Sequence, residues 1–332
     1  MTGRWSRKIQ IGKETVAGTA VAATHVWAGE GVPDEGIDLR QQDYASGSAA
    51  GNDKTYIAGY AGTIALDPTP ATYEQLPMLL EMGIETETGT QDGAGTAYVY
   101  VYNFPELAAG TLKTATIEAG NGQQAKEIAY CFAESINLTG APGEPIMMSA
   151  AIRGRQWSTT TYTGALTPAA VNPIIFSTGA LYTDDAFGNW GNTALASTLY
   201  GFNLDINTGF VAKGTADGSL TFDFAHMNNF QALLSVTFEY NANAVLEEAD
   251  WRAQTPRYLR LLFTDVTAVT TPGVYTYKQL QIDMYGKWLS FDPLSDDDGN
   301  ELIVGNFKAM YDIANTVTGN ITVVNEDSDI WA

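Results

Sequence analysis

The chain has 332 residues, 45% of them hydrophobic and only 17% charged, so it can bury one large core or two ordinary ones and is not a disordered polymer. Its 38 acidic against 17 basic residues leave a net charge of −21, which argues against a general sequence-reading nucleic-acid binder with a basic footprint. The lone Cys131, in an apolar strand-like run, excludes a disulfide framework and a cysteine metal cluster.

Residues 1–35 read as a polar arm rich in Gly, Ala and Thr, with Trp5, Ile9, Ile11, Val26 and Trp27 as isolated anchors. The opening MTGRWSRKIQIGKE is basic but lacks the apolar core of a secretory signal, and no run approaches the roughly 18 apolar residues of a membrane helix. Neither export nor membrane insertion is expected. Gly12-Lys-Glu-Thr-Val-Ala-Gly18-Thr19 has the wrong spacing for a phosphate loop, and no Lys-Ser/Thr pair follows the second glycine.

From Gly36 to Met82 the grammar is strand, small-residue loop, strand, helix: GIDLRQ, then Gln41 to Lys54, then GTIALDPTP, then a helix capped by Thr72 with Leu76, Leu79, Leu80 and Met82 as its stripe. Tyr98–Phe104, Thr111–Glu118, Ile128–Leu138 and Ile146–Arg153 have strand composition, and residues 158–173 read as a Thr/Ala/Pro linker. The clearest stretch is Leu199 to Tyr240. There Tyr200, Phe202, Leu204 and Ile206 alternate with polar residues, and Leu220, Phe222 and Phe224 alternate with Ser219, Thr221 and Asp223. A long-looped hairpin followed by a short helical turn is predicted. Ala244 to Arg252 reads as a helix with Val245, Leu246 and Ala249 on its apolar face, and Arg257–Thr264, Tyr275–Trp288, Leu302–Tyr311 and Asn320–Val324 as strands.

The two stretches look like copies. Gly36 lies against Gly201, Gly62-Thr-Ile-Ala-Leu-Asp67 against Gly218-Ser-Leu-Thr-Phe-Asp223, and Lys126–Leu138 against Gln279–Phe291. The expected class is mainly β: two tandem sandwich or barrel domains, each with a short flanking helix, arranged as an arm (1–35), a first domain (36–157), a linker (158–173) and a second domain with a C-terminal arm (174–332).

Enzyme chemistry is not written in the chain. His25 and His226 have no partners at metal-ligand spacing, and neither a Gly-x-Ser-x-Gly elbow nor a His-Glu-x-x-His helix occurs. Ser295-Asp-Asp-Asp-Gly-Asn-Glu301 lacks the alternating order of a calcium loop and reads as a solvated turn, and the Asp184-Asp185 pair is one that any acidic β protein supplies by chance. No catalytic residue, metal or cofactor is expected.

Several segments resemble one family, the major tail tube proteins of long, flexible, non-contractile bacteriophage tails. They are LYTDDAFGNWGNTALASTLYGFNLDINTGF from Leu181, WRAQTPRYLRLLFTD from Trp251, YKQLQIDMYGKWLSFDPLSDDDGN from Tyr277, VNEDS from Val324 and the early KETVAGTAVAAT. The resemblance covers most of the chain, with little of it in residues 85–125 and 158–180.

It implies tube-type β-sandwiches whose inner sheets join into a closed barrel, rings that stack through long loops and arms, and a virion protein made in the host bacterial cytoplasm. Implied partners are further copies of the chain, the tape-measure protein and then DNA in the lumen, and the tail terminator and tail-tip proteins. With two tube domains per chain, a ring of three copies with pseudo-sixfold symmetry is expected. The residues expected to face the lumen are Asp38, Asp67, Asn203, Asp205, Thr221 and Asp223. Those expected between rings are Trp5, Trp27, Asp43, Tyr44, Asp53, Phe210 and Lys213. The competing readings are a secreted carbohydrate-binding or adhesive β-sandwich, which would share the acidic turns and tryptophans but would require export, and a hydrolase on a β scaffold, which would need a carboxylate pair held in a cleft.

Overall fold

The computed structural model describes residues 6–42, 44, 47, 54–108 and 110–331. The first half comprises β1 (Lys8–Lys13), β2 (His25–Val26), β3 (Gly31–Asp34), β4 (Ile37–Gln41), β5 (Thr55–Tyr60), β6 (Thr63–Pro70), α1 (Leu76–Gly83), β7 (Thr90–Gln91), β8 (Tyr98–Asn103), β9 (Ala115–Gly120), β10 (Ala125–Gly140), β11 (Met147–Arg153) and β12 (Ser158–Thr160). After a 3-10 turn at Phe176–Thr178 follow β13 (Gly179–Asp184), β14 (Leu199–Asn207), β15 (Phe210–Lys213), β16 (Phe224–Met227), β17 (Gln231–Glu239), α2 (Ala242–Ala253), β18 (Arg257–Ala268), β19 (Tyr277–Phe291), β20 (Ser295–Asp297), β21 (Asn300–Ala309) and β22 (Gly319–Asn325). The protein is mainly β, and among the described residues every ladder is antiparallel.

Two long strands, β10 and β19, organise it, because each is shared between two sheets. The N-terminal part of β10 pairs with β9 and β12, and its C-terminal part pairs with β11 and β14. The extra residue at Ala129–Tyr130, with Tyr130 at φ 59°, bends the strand between the two roles. Similarly, β19 pairs with β18 and β22 first and with β21 later.

The pairing order then repeats. In the first half it runs β3, β6, β11, β10, β9, β1, with β12 as the other neighbour of β10; in the second it runs β14, β17, β21, β19, β18, β13, with β22 as the other neighbour of β19. A small hairpin, β4–β5 or β15–β16, lies at the same place in each order, and α1 and α2 follow the equivalent strands β6 and β17.

The halves are also stitched together. Residues Ser135–Gly140 of β10 pair with Asn207–Phe202 of β14, and β8 crosses over to pair with β22. One continuous eight-stranded sheet results, in the order β3, β6, β11, β10, β14, β17, β21, β19. Its inner face, including Ile64, Ile152, Ile136, Leu204, Leu234 and Phe307, enters a hydrophobic core that spans both halves.

Several expectations are corrected. The arm is largely structured: β1 adds to β9, and Trp27 is buried. The sheet partner of β14 is β17, whose Ala232, Leu234, Val236 and Phe238 alternate inward where a helical turn was expected. The run at Leu220–Phe224 serves the separate β15–β16 hairpin, in which Phe222 packs on Phe132 and Phe210. In the repeated pairing order the place of β14 is taken by β3 and not by the strand at Ile37, so that order does not follow the glycine matches. The linker residues are tied down too, β12 by β10 and Asn172 by the Glu74 carboxylate. On α2, Val245, Leu246 and Ala249 are all exposed, and Ala244 and Glu247 are buried instead.

Candidate functional site: the polar face of the long sheet

Because side chains alternate along a strand, burying one face of the eight-stranded sheet commits the other to solvent. That free face carries mostly hydroxyls, amides and small side chains: Thr63 and Ala65 on β6, Ser149 and Ala151 on β11, Asn137 and Thr139 on β10, Asn203 and Asp205 on β14, Ser235 and Thr237 on β17, and Asn306 on β21.

Neighbouring strands are laced by these groups. The Asn137 amide donates to Asn203 Oδ1 at 2.6 Å and to Asp205 Oδ1 at 2.8 Å, across the junction between the halves. Ser235 donates to Asn306 Oδ1 at 2.6 Å, and the Asn306 amide donates to Ser290 Oγ at 3.0 Å. Charge on this face is sparse and mixed. Arg153 pairs with Glu134 at 2.5 Å, and Lys287 and Lys308 share the face with Asp34, Asp67, Asp205 and Glu239. The strong net acidity of the chain therefore sits elsewhere on the surface.

Of the residues expected to line a lumen, Asp67, Asn203 and Asp205 lie on this face. Asp38, Thr221 and Asp223 do not. Asp38 sits in the β4–β5 hairpin, where the Arg40 guanidinium hydrogen-bonds its carboxylate and lowers its pKa. Thr221 and Asp223 belong to the β15–β16 connection; Asp223 accepts from the Thr215 hydroxyl and amide, and these bonds lower its pKa.

Of the residues expected between rings, Trp5, Asp43 and Asp53 lie outside the described residues. Tyr44 is exposed, with the Lys54 ammonium 4.9 Å from its ring centroid, and Lys213 is exposed at the end of β15. Trp27 and Phe210 are buried and cannot serve as free contact surface. The two hairpins do meet: Tyr60 donates its backbone N–H to Leu220 O at 2.9 Å, and Arg155 bonds the Phe222 and Asp223 carbonyls.

Other candidate chemistry is accounted for locally. Among the described residues no cluster of three or more His, Cys, Asp or Glu side chains is arranged to hold a metal ion. Cys131 is fully buried, and burial pushes its thiol pKa well up. Asp184 is buried and accepts from the Asn192 N–H. At the acidic turn, Tyr200 donates to Asp297.

Two features escaped sequence reading. One is β3, the four-residue strand that forms an end of the long sheet. The other is the buried pair of Glu247 and Arg257, joined by Thr183 and by Trp288, whose indole N–H donates to Glu247 at 2.8 Å. The only local hint of the pair is an acid and a base flanking the end of a helix. The chain matches no known family profile and no curated protein.

Proposed function

We propose that the protein is a tail tube subunit of a long, non-contractile phage tail, three copies of which close into a ring that stacks into a conduit for DNA. The observation that carries this reading is the eight-stranded sheet with one apolar and one mainly hydroxyl-and-amide face, built from a pairing order that occurs twice; among the described residues no strand pairs with the outer edge of β3 or with that of Lys287–Phe291 in β19. Open edges are a liability that closure removes. Three such sheets side by side exceed the roughly 16–18 strands at which barrels enclose an aqueous channel. The free polar face then lines the lumen, around the tape-measure protein and later DNA.

The wall is suited to passage without capture. Its few cations lie among carboxylates, so a passing duplex finds little of the Lys/Arg contact whose counterion release drives binding. Repulsion from Asp67 and Asp205 acts within a Debye length, about 10 Å at 0.1 M salt. Among the described residues no helix is long and apolar enough to cross a membrane.

Negative-stain microscopy of the purified chain tests the proposal: hollow filaments of stacked threefold rings are expected, and compact monomers at all concentrations would overturn it. In a phage carrying Asp205→Lys, ejection should slow, more so at low salt, while Asp223→Lys on the hairpin should leave the rate unchanged.

A further inference from the structure

The long sheet ends in two edges that the pairing repeat makes counterparts of a junction already formed inside the chain. One rung runs Val32, Ala65, Ala151, Ser135 across β3, β6, β11 and β10. The equivalent rung runs Asn203, Ser235, Asn306, Ser290 across β14, β17, β21 and β19. The bulges agree with this alignment: Glu134 is the extra residue before Ser135, and Leu289 the extra residue before Ser290.

Inside the chain, Thr139 faces Asn203 and Asn137 faces Asp205. Carrying these pairs through the rungs sets Leu294 opposite Val32 and Asp292 opposite Asp34. We infer that the segment joining β19 to β20, from Asp292 to Ser295, of one copy docks on β3 of the next in this register, and that this seam closes the ring. The inference rests on the ring reading above, and adds to it which edges meet and in which register.

Three observations favour a second copy of this chain as the occupant. First, Val32 and Leu294 are both about half exposed, at 53% and 49%, and would cover each other. Second, β3 borders a groove of about 440 Å³ whose charged lining is Arg7, Lys8 and Lys126 against Glu30, with Lys126 paired to Glu35, whereas the hairpin just beyond Leu294 carries Asp296, Asp297 and Asp298. Arg7 and Lys8 beside one edge thus answer the acidic tip beside the other, although the register also sets Asp296 opposite Glu30. Third, Pro33 and Pro293 fall opposite each other, so neither open edge offers a full set of donors, which discourages indiscriminate pairing.

The seam between copies is consequently weaker than the internal one. Where Asn137 donates to Asp205 inside the chain, two carboxylates, Asp34 and Asp292, face each other between chains.

The test is cross-linking of the purified full chain. Directly opposite residues of an antiparallel pair have Cα atoms about 4.5–5.5 Å apart, within reach of a disulfide. Val32→Cys combined with Leu294→Cys should link copies into a ladder that stops at three under mild oxidation, whereas Val32→Cys with Asp292→Cys, two residues out of register, should not. Equal linking by the shifted pair, or none by either, overturns the seam. Hollow rings without the Val32/Leu294 link would overturn the seam yet leave the ring reading standing. Linked trimers that never stack would keep the seam and defeat the tube reading. Independently, Asp292→Asn should restore the internal kind of pair and lower the concentration needed for assembly by about two- to fivefold; weaker assembly from that variant counts against the register.

Discussion

The helices α1 and α2 follow equivalent strands and lie in equivalent places, yet their surroundings are opposite. All eight residues of α1 are buried, including Glu81, whose carboxylate accepts the Trp331 indole N–H at 2.9 Å. In α2 only Ala244 and Glu247 are buried. The cause lies outside both helices. After α1 the chain makes an excursion that supplies β8, and the C-terminal residues Ile330 and Trp331 fold back to complete the cover. After α2 the chain enters β18 almost at once. Two helices at matching places in the strand order are therefore held differently, α1 by packing and α2 by polar anchors: an Asn241 cap and a desolvated ion pair.

Removing the anchor of α2 is the harshest way to break that comparison. Glu247 is 1% exposed and bonds Arg257, Thr183 and Trp288, so Glu247→Ala takes the nearest carboxylate from a nearly buried guanidinium, leaving it Asp250 at 3.4 Å, and removes the acceptor of two further donors. Urea melts should show a loss of about 3 kcal/mol or more. For α1 the comparable damage is apolar: Leu79→Ala at a fully buried site should cost about 2–5 kcal/mol through lost transfer energy and the cavity left behind.

A smaller effect is expected at the start of α2, where the Asn241 side chain accepts from the Asn243 and Ala244 N–H groups; Asn241→Ala should lose about 1 kcal/mol. Glu81 sharpens the contrast through pH. Burial raises its pKa, against the opposing pull of Lys13. The folded state thus binds a proton more readily than the unfolded one, and this group's contribution to stability falls as pH rises through the ordinary glutamate range to the raised native value. Glu81→Gln, which keeps an acceptor for Trp331, should raise Tm at pH 7 and by less at pH 4, and an equal gain at both would refute the linkage. Smallest of all, Leu246→Ala, at a position 64% exposed, should change stability by less than about 0.5 kcal/mol.

The sequence by itself determined what depends on local pattern. Alternation at Phe202, Leu204 and Ile206 marks β14 and its buried face, and similar runs mark β10, β19 and β21 to within a few residues, so a mainly-β chain with two helices was legible, and Asn203 and Asp205 could be assigned to a polar face. Alternation carries no address, however. Whether Leu220–Phe224 or Gln231–Glu239 pairs with β14 is decided by which run can also meet β21, a partner some seventy residues on at Leu234 and Phe307. The short β3 has too few residues to show a period, and exists because β6 offers it an edge. The buried side of α2 is set by the charge of Arg257 and the indole of Trp288, which outweigh Val245 and Leu246 once Glu247 is desolvated against them. Only the tertiary structure chose these partners, because that choice rests on contacts between residues far apart in the chain.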